Sequence, residues 1–355
     1  MLQRITIHEL IIAIVIVLIL VLLLIIFVLF YSFHKYKILH DRQVWTQMIE
    51  QKVTEAIVEG NAVVRSDTLF RKFLQEPSFR SVFLAVLVAS ERKFSGGART
   101  EVNQLFHTFQ LEEEAWRKIR QRKAYLIAGG IQELTAMGVK DAISDIAKFV
   151  HHADRQIYQE AQYALVRFNG FDGLLFLDTV TRPLSDWQQL RLLRSIEGIP
   201  DEHLNRLSGW ISSSNESVVV FSLRLMRKFR LLTFYDQVLT LLTHAKTTVR
   251  VQAVRTLQAL ENAATVGQLI DLFPEQSEEV QLEILRALKF SRSRLSIPFL
   301  QRQLVEHAFV SIKISAAEIL VSLGQQTYLR DMAANDATPP QLIHIIKHAL
   351  QEKTW

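Results

Sequence analysis

The chain has 355 residues, 49% hydrophobic and 22% charged, with 12 glycines, 7 prolines and no cysteine. This composition excludes a disordered chain, a collagen-like repeat and a disulfide scaffold, and the lack of thiols removes cysteine nucleophiles, Cys-ligated zinc and iron–sulfur clusters. The 41 basic and 36 acidic residues leave a net charge of +5, too small an excess to require a nucleic-acid partner.

Leu10 to Phe30 is an unbroken apolar run of 21 residues. As a helix it is about 32 Å long, close to the ~30 Å hydrocarbon core of a bilayer. A cleaved signal peptide has a shorter apolar region, of about 7–15 residues. The run therefore predicts a retained transmembrane helix over residues 10–31, after a short external N-terminus of residues 1–9. Arg4 and Glu9 precede it, whereas Lys35, Lys37 and Arg42 follow, with His34 and His40 between them. Basic residues favour the cytoplasmic side, so the body is expected in the cytoplasm, attached to the inner (cytoplasmic) membrane. Tyr31, Phe33, Lys35 and Lys37 are the expected membrane-interface residues.

Residues 32–110 read as a juxtamembrane helical segment that forms an N-terminal cap on the rest of the chain. Val44, Met48, Ile49, Val53, Ala56 and Ile57 share a helix face, Phe79 to Ala89 is a dense apolar stretch too short to span, and Ser95-Gly96-Gly97 is a loop. Val102, Leu105, Phe106 and Phe109 mark a further helix.

From residue 111 to 355 a fixed period governs the chain. Val249, Ala253 and Leu257 fall on one helix face. The same triplet recurs at Val218, Ser222, Met226 and at Val280, Ile284, Leu288. Outward lie Ile312, Ala316, Leu320 and Leu342, Ile346, Leu350, then Ile157, Ala161, Leu165 and Leu126, Gly130, Leu134, with Trp187 as the anchor of the remaining unit. The steps run from 30 to 32 residues. Each unit has room for two helices, for example Phe234 to His244 and Val249 to Leu260. The small middle residue of the triplet lets packed helices approach closely. One such pair cannot bury its own apolar face, so neighbours must stack.

The segment Thr248-Val249-Arg250-Val251-Gln252-Ala253-Val254-Arg255-Thr256-Leu257 resembles the second helix of a HEAT repeat, whose core is Val-Arg-x-x-Ala. The short unit resembles the HEAT-like repeats of many bacterial proteins. The resemblance implies an all-α fold: a right-handed α-solenoid of about eight HEAT-like helix pairs behind the transmembrane helix. Only the Val249 unit places Arg directly after its valine, so the family's Asp/Arg ladder is mostly missing.

Two basic constellations are candidates for partner binding. Arg224, Arg255 and Arg286 each lie six residues after their anchors, and equal ranks align in a stacked array. Arginine suits acidic peptides, phosphates and carboxylates. Arg117, Lys118, Arg120, Arg122 and Lys123 follow Glu112, Glu113 and Glu114 on an expected helix, where Glu113–Arg117 and Glu114–Lys118 pairs are predicted at i,i+4. His344 and His348 face away from the core stripe, His151-His152 falls in a turn, and Asn215-Glu216-Ser217 matches a glycosylation sequon without meaning in a cytoplasmic domain.

No dinucleotide, Walker, His-Glu-x-x-His or Gly-x-Ser-x-Gly motif is present, so neither an enzyme nor a cofactor is expected. HEAT-like folds imply scaffolding by analogy. The plan resembles accessory components of envelope-polysaccharide glycosyltransferases, which implies a membrane-associated protein partner such as a glycosyltransferase or secretion complex. Bilin lyases, which bind a tetrapyrrole, and DNA glycosylases also carry HEAT-like arrays and supply the alternatives. The anchor argues against both.

Overall fold

The computed structural model describes residues 7–351, which are all-helical with no strand among them. Residues 1–6 of the expected external segment lie outside the described residues. The chain divides into two compact units, Met1–Ala164 and Leu165–Trp355.

In the first unit, α1 (Ile7–Glu59) is one helix of 53 residues. It is long and apolar enough to cross a membrane, and none of its most apolar stretch is buried. From Val15 to Phe30 its apolar side chains are exposed, Phe30 by 73%. Farther along, the same helix changes character. Ile49, Val53 and Ala56 are buried at i, i+4 and i+7. This face packs on α2 (Asn61–Ser66), α4 (Pro77–Glu91) and α5 (Gly97–Thr108). Val44, expected on it, stays exposed.

Between them, α3 (Thr68–Phe73) starts where Asp67 accepts a hydrogen bond from the Phe70 backbone N–H at 2.9 Å. Phe70 meets Phe79 and Phe83 edge-on, with centroids 5.4 and 5.3 Å apart. The apolar stretch Phe79 to Ala89 thus lies within α4, and much of it is core.

Next come α6 (Glu112–Ile119) and α7 (Ala124–Ala136), which pack as a pair. A Cβ added to Gly130 would lie 2.6 Å from the Ala115 carbonyl oxygen and 2.7 Å from Ile119 Cγ1. Here the small middle residue does bring two helices together. Then come α8 (Ile143–Ala147) and α9 (Arg155–Asn169), the latter carrying the chain into the second unit.

The second unit comprises α10 (Asp186–Ser195), α11 (Leu204–Trp210), α12 (Glu216–Phe229), α13 (Tyr235–Thr240), α14 (Thr247–Ala259) and α15 (Thr265–Leu272). It continues with α16 (Glu278–Ser291), α17 (Ile297–Glu306), α18 (Val310–Ser322), α19 (Gln326–Ala334) and α20 (Pro340–Gln351). From α12 to α20 each even-numbered helix packs on the next even-numbered one, and the odd-numbered helices pack beside their successors. The triplets at Val218, Val249, Val280 and Ile312 are fully buried, whereas Leu126, Leu165 and Leu350 are half-buried.

Two expectations are corrected. Trp187 is 74% exposed and anchors nothing. The buried positions at this spacing are Gln188 and Leu192 of α10 and Ile196 just past its end, one residue on. α10 is turned so that Gln188, and not the indole, lies on the core face. Phe234 to His244 is not one helix: 3₁₀ turns at Leu232–Phe234 and Leu241–Thr243 flank the short α13. Helix ends also use turns invisible to composition. After α18 the positive φ of 82° falls on Gly324, but after α12 and α16 it falls on Arg230 and Arg292.

Gly130→Ala should destabilise the protein by about 1–3 kcal/mol, because the clash with backbone outweighs alanine's better helix propensity. Gly129→Ala, where a Cβ meets nothing within 4 Å, should leave stability equal or higher. Thermal unfolding of the two variants in detergent separates them; equal losses would remove the close-approach explanation.

Candidate functional site

In the second unit a cavity of about 430 Å³ follows the first turns of successive even-numbered helices. Asp186 of α10, Glu216 of α12, Thr248 of α14 and Glu279 of α16 border it. Carboxylates suit this place, since the first turn of a helix carries partial positive charge. Glu216 accepts a hydrogen bond from the Thr248 hydroxyl, and Glu278 accepts one from Ser311 at the start of α18. One device thus joins helix starts at equal ranks.

The loop entering α12 is fixed by Asn215. Its Oδ1 accepts from the Ser217 N–H at 3.1 Å, and its Nδ2 donates to the Val180 and Arg182 carbonyls at 3.1 and 3.0 Å. The sequon asparagine is therefore a helix cap that also ties down the preceding loop.

Arg224 and Arg255 line this cavity. Both are held by carboxylates: Arg224 Nη2 lies 2.7 Å from Asp186 Oδ1, and Arg255 binds Glu283 through Nε and Nη2 at 2.9 and 3.0 Å. Arg286 adds a third contact to Glu283 at 2.8 Å. Burial of Glu283 disfavours its charge, but Arg255 and Arg286 outweigh it, so its carboxyl sits below its ordinary value. The Glu283 bond raises Arg255 in turn. The groove therefore presents both signs of charge on fixed side chains. Its floor includes Val220 and Val251.

The second basic constellation, in the first unit, does not occupy one helix. Arg117 and Lys118 lie in α6, whereas Arg120, Arg122 and Lys123 fall in the exposed turn before α7. The expected i,i+4 pairs are replaced. Arg117 bonds Glu114 at i,i+3 (2.9 Å), and Lys118 bonds Glu133 of α7 at 2.5 Å. Burial nevertheless pushes Glu133 above its ordinary value, against the pull of Lys118.

Glu114 prefers other partners because it is buried, 3% exposed. Arg80 of α4 meets it at 2.8 Å and also donates to the Phe109 and Gln110 carbonyls at 3.2 and 2.8 Å. Gln110 has φ of 50°, so this clamp holds a strained turn between α5 and α6.

Tyr31, Phe33, Lys35 and Lys37 are all exposed on α1. His344 and His348 are exposed on α20, and His151 and His152 lie at a turn. Among the described residues no group of three or more His, Cys, Asp or Glu is arranged to hold a metal.

Sequence reading missed Asp186 and Glu283, the partners of the arginine ladder, and the buried Gln189 and Gln252 beside it. Glu283 sits three residues after its anchor, the rank of Gln252 one unit earlier, and a comparison of equal ranks beyond the arginines was the available signal.

No family model matches the sequence, and no curated protein matches it. Solved structures similar to the chain include an engineered protein, 14% identical, covering 85% of this chain and 92% of that one, with a TM-score of 0.35. Another, from work on tubulin recruitment by microtubule polymerases with TOG domain arrays, is 12% identical over 84% of each chain, with a TM-score of 0.29. A second engineered protein is 15% identical, covering 68% of this chain and 95% of that one, with a TM-score of 0.25. The all-helical fold of this chain rests on its own helix packing.

The lowered Glu283 value fixes the sign of a pH effect. Its pair contributes stability fully above the unfolded value of about 4.5 and loses it as pH falls through the lower folded value. Thermal unfolding from pH 7 to 3 should fall more steeply for the native protein than for Glu283→Gln; parallel curves would show that the pair contributes nothing.

Proposed function

We propose that the chain is a membrane-tethered scaffold without catalytic activity, in which a HEAT-like solenoid of about eight helix pairs binds a protein partner. The continuity of α1 is the observation that carries this reading. One helix bears both an apolar, unburied run and, about 24 Å beyond Phe33, the buried face at Ile49 that packs into the folded unit. A bilayer is the partner that matches a bare apolar helix of this length. Tethering confines the array to the membrane plane and raises the effective concentration of whatever it binds.

The partner class favoured by the plan is a membrane-associated complex, with an envelope-polysaccharide glycosyltransferase or secretion complex as the specific expectation. The groove weighs against nucleic acid, since Arg224 and Arg255 are matched by carboxylates and the lining has no excess of positive charge to offer a phosphate backbone. Nothing in the lining favours a tetrapyrrole.

In intact spheroplasts an added protease should leave the folded body uncut and digest it only after lysis. Cleavage before lysis would reverse the orientation, and release by alkaline carbonate would remove the anchor. Partner binding is tested by co-purification in mild detergent at native expression level. Charge reversal at the arginines would set new carboxylates against Asp186 and Glu283, so neutral variants are the better probe. Arg224→Gln, Arg255→Gln and Arg286→Gln together should reduce recovery of the co-purified partner at least tenfold. Unchanged recovery would remove the arginines from the binding surface, and recovery of the protein alone from native membranes would remove the scaffold reading.

A further inference from the structure

The first unit holds a cavity of about 720 Å³ that the scaffold reading leaves unused. Three helices each give it one arginine: Arg65 from the last turn of α2, Arg71 from the last turn of α3 and Arg80 from the first turn of α4. Gln75, Thr108 and Gln110 add an amide, a hydroxyl and a second amide. No aspartate or glutamate is among the described residues that line it. Arg65 and Arg71 are exposed, and neither side chain makes a hydrogen bond or ion pair among the described residues. Arg80 is fixed in place by Glu114 and the Phe109 and Gln110 carbonyls, through Nε and one contact at each Nη. A guanidinium has a second hydrogen on each Nη, so Arg80 keeps donors to spare. Its charge is only partly balanced, because Glu114 is shared with Arg117. The contrast with the groove of the second unit is plain, since Arg224 and Arg255 there each meet a carboxylate.

We propose that this cavity is a binding site for a phosphate-class oxyanion. Guanidinium groups around one space repel each other, and an anion between them reverses the sign of that interaction. The forked donors of arginine match the oxygens of phosphates and carboxylates alike. The number of donors separates the two. A carboxylate presents two oxygens in one plane, whereas a phosphate presents its oxygens around a tetrahedron and offers one to each of three arginines on three helices. Gln75, Thr108 and Gln110 are further donors to the same group.

The cavity lies toward the apolar end of α1. Trp45 of α1 meets Phe79 at the start of α4 with centroids 5.7 Å apart, whereas Asn61, beyond the far end of α1, donates to the Glu101 carbonyl of α5 at 3.3 Å. α4 therefore starts on the side of the apolar run and α5 returns toward it, which puts Gln75, Arg80 and Gln110 at that end. Trp45 is about 18 Å beyond Phe33 along the helix. The phosphate has two sources in this place, a lipid headgroup or a compound in solution, and the chemistry of recognition is common to both.

Full-length protein in mild detergent is titrated with inorganic pyrophosphate by calorimetry, against sodium chloride of matched ionic strength. Binding should saturate, and succinate should bind about tenfold more weakly or worse. Arg65→Gln and Arg71→Gln should each lower pyrophosphate affinity about tenfold or more, the range of a lost hydrogen bond to a charged group. Their Tm should stay unchanged, since neither side chain has a bond to lose. Arg122→Gln, in the exposed turn outside the cavity, should bind as the native protein does. Absence of saturable binding, equal binding of succinate, a similar loss in Arg122→Gln, or smaller losses in both cavity variants overturns the proposal. Nanodiscs then identify the carrier: discs of phosphatidylcholine with phosphatidic acid are compared with discs given the same surface charge by oleic acid. Weaker pyrophosphate binding in the phosphatidic acid discs supports a lipid headgroup in the cavity, and equal binding supports a soluble phosphate compound. The site is separate from the groove of the second unit, so its failure leaves the scaffold reading standing.

Discussion

The constraint on which the second unit depends is geometric: a pair of short helices has an apolar stripe wider than its own partner can cover. Val249, Ala253 and Leu257 are buried because α12 lies on one side of α14 and α16 on the other. Remove any member and two neighbours lose cover. The polar links obey the same logic. Thr256 of α14 donates to the Leu223 carbonyl of α12 at 3.1 Å, Tyr235 reaches Thr265 at 2.8 Å, and Gln276 reaches the Leu242 carbonyl at 3.2 Å. Each joins residues about one repeat apart, so side chains that have left water find partners one unit away.

The same constraint explains what was legible in the chain. A period of apolar triplets is a direct record of burial, and six of the anchors named from it, from Ile157 to Leu342, are buried. It fails where burial and hydrophobicity part company. At α10 the apolar Trp187 points outward and the two glutamines after it point in, where Gln189 donates to the Leu184 carbonyl. First helices were read less well than second ones. They are short and edged with 3₁₀ turns, as at α13, and too few residues lie in each for a helical period to register.

The candidate site was legible in half. Equal rank identified Arg224, Arg255 and Arg286, but rank alone says nothing of what a guanidinium meets. Asp186 and Glu283 come from different ranks of units neighbouring Arg224 and Arg255, and only packing brings them to those two arginines, whereas Arg286 meets Glu283 at i,i+3 on α16. The basic run after α6 shows the converse failure. Its spacing predicted local pairs on one helix, yet Glu114 is turned inward by Arg80, 34 residues earlier, and Lys118 is drawn to Glu133. Long-range partners win because Glu114 is withdrawn from water, where an exposed i,i+4 pair contributes only a few tenths of a kcal/mol, about 0.3–0.5.

α1 contains neither proline nor glycine between Ile7 and Glu59, and such residues are where helices commonly bend sharply. For a helix seated in a bilayer this makes a stiff mast. The portion from Phe33 to Glu59 would stand about 39 Å tall, and membrane helices lean by about 20° on average. A lean altered by roughly 10°, as a thicker or thinner lipid patch would impose, swings the top of such a mast sideways by about 7 Å, by simple trigonometry on that height. Bilayer thickness would in this way become a displacement of the first unit's folded core, with no hinge to absorb it.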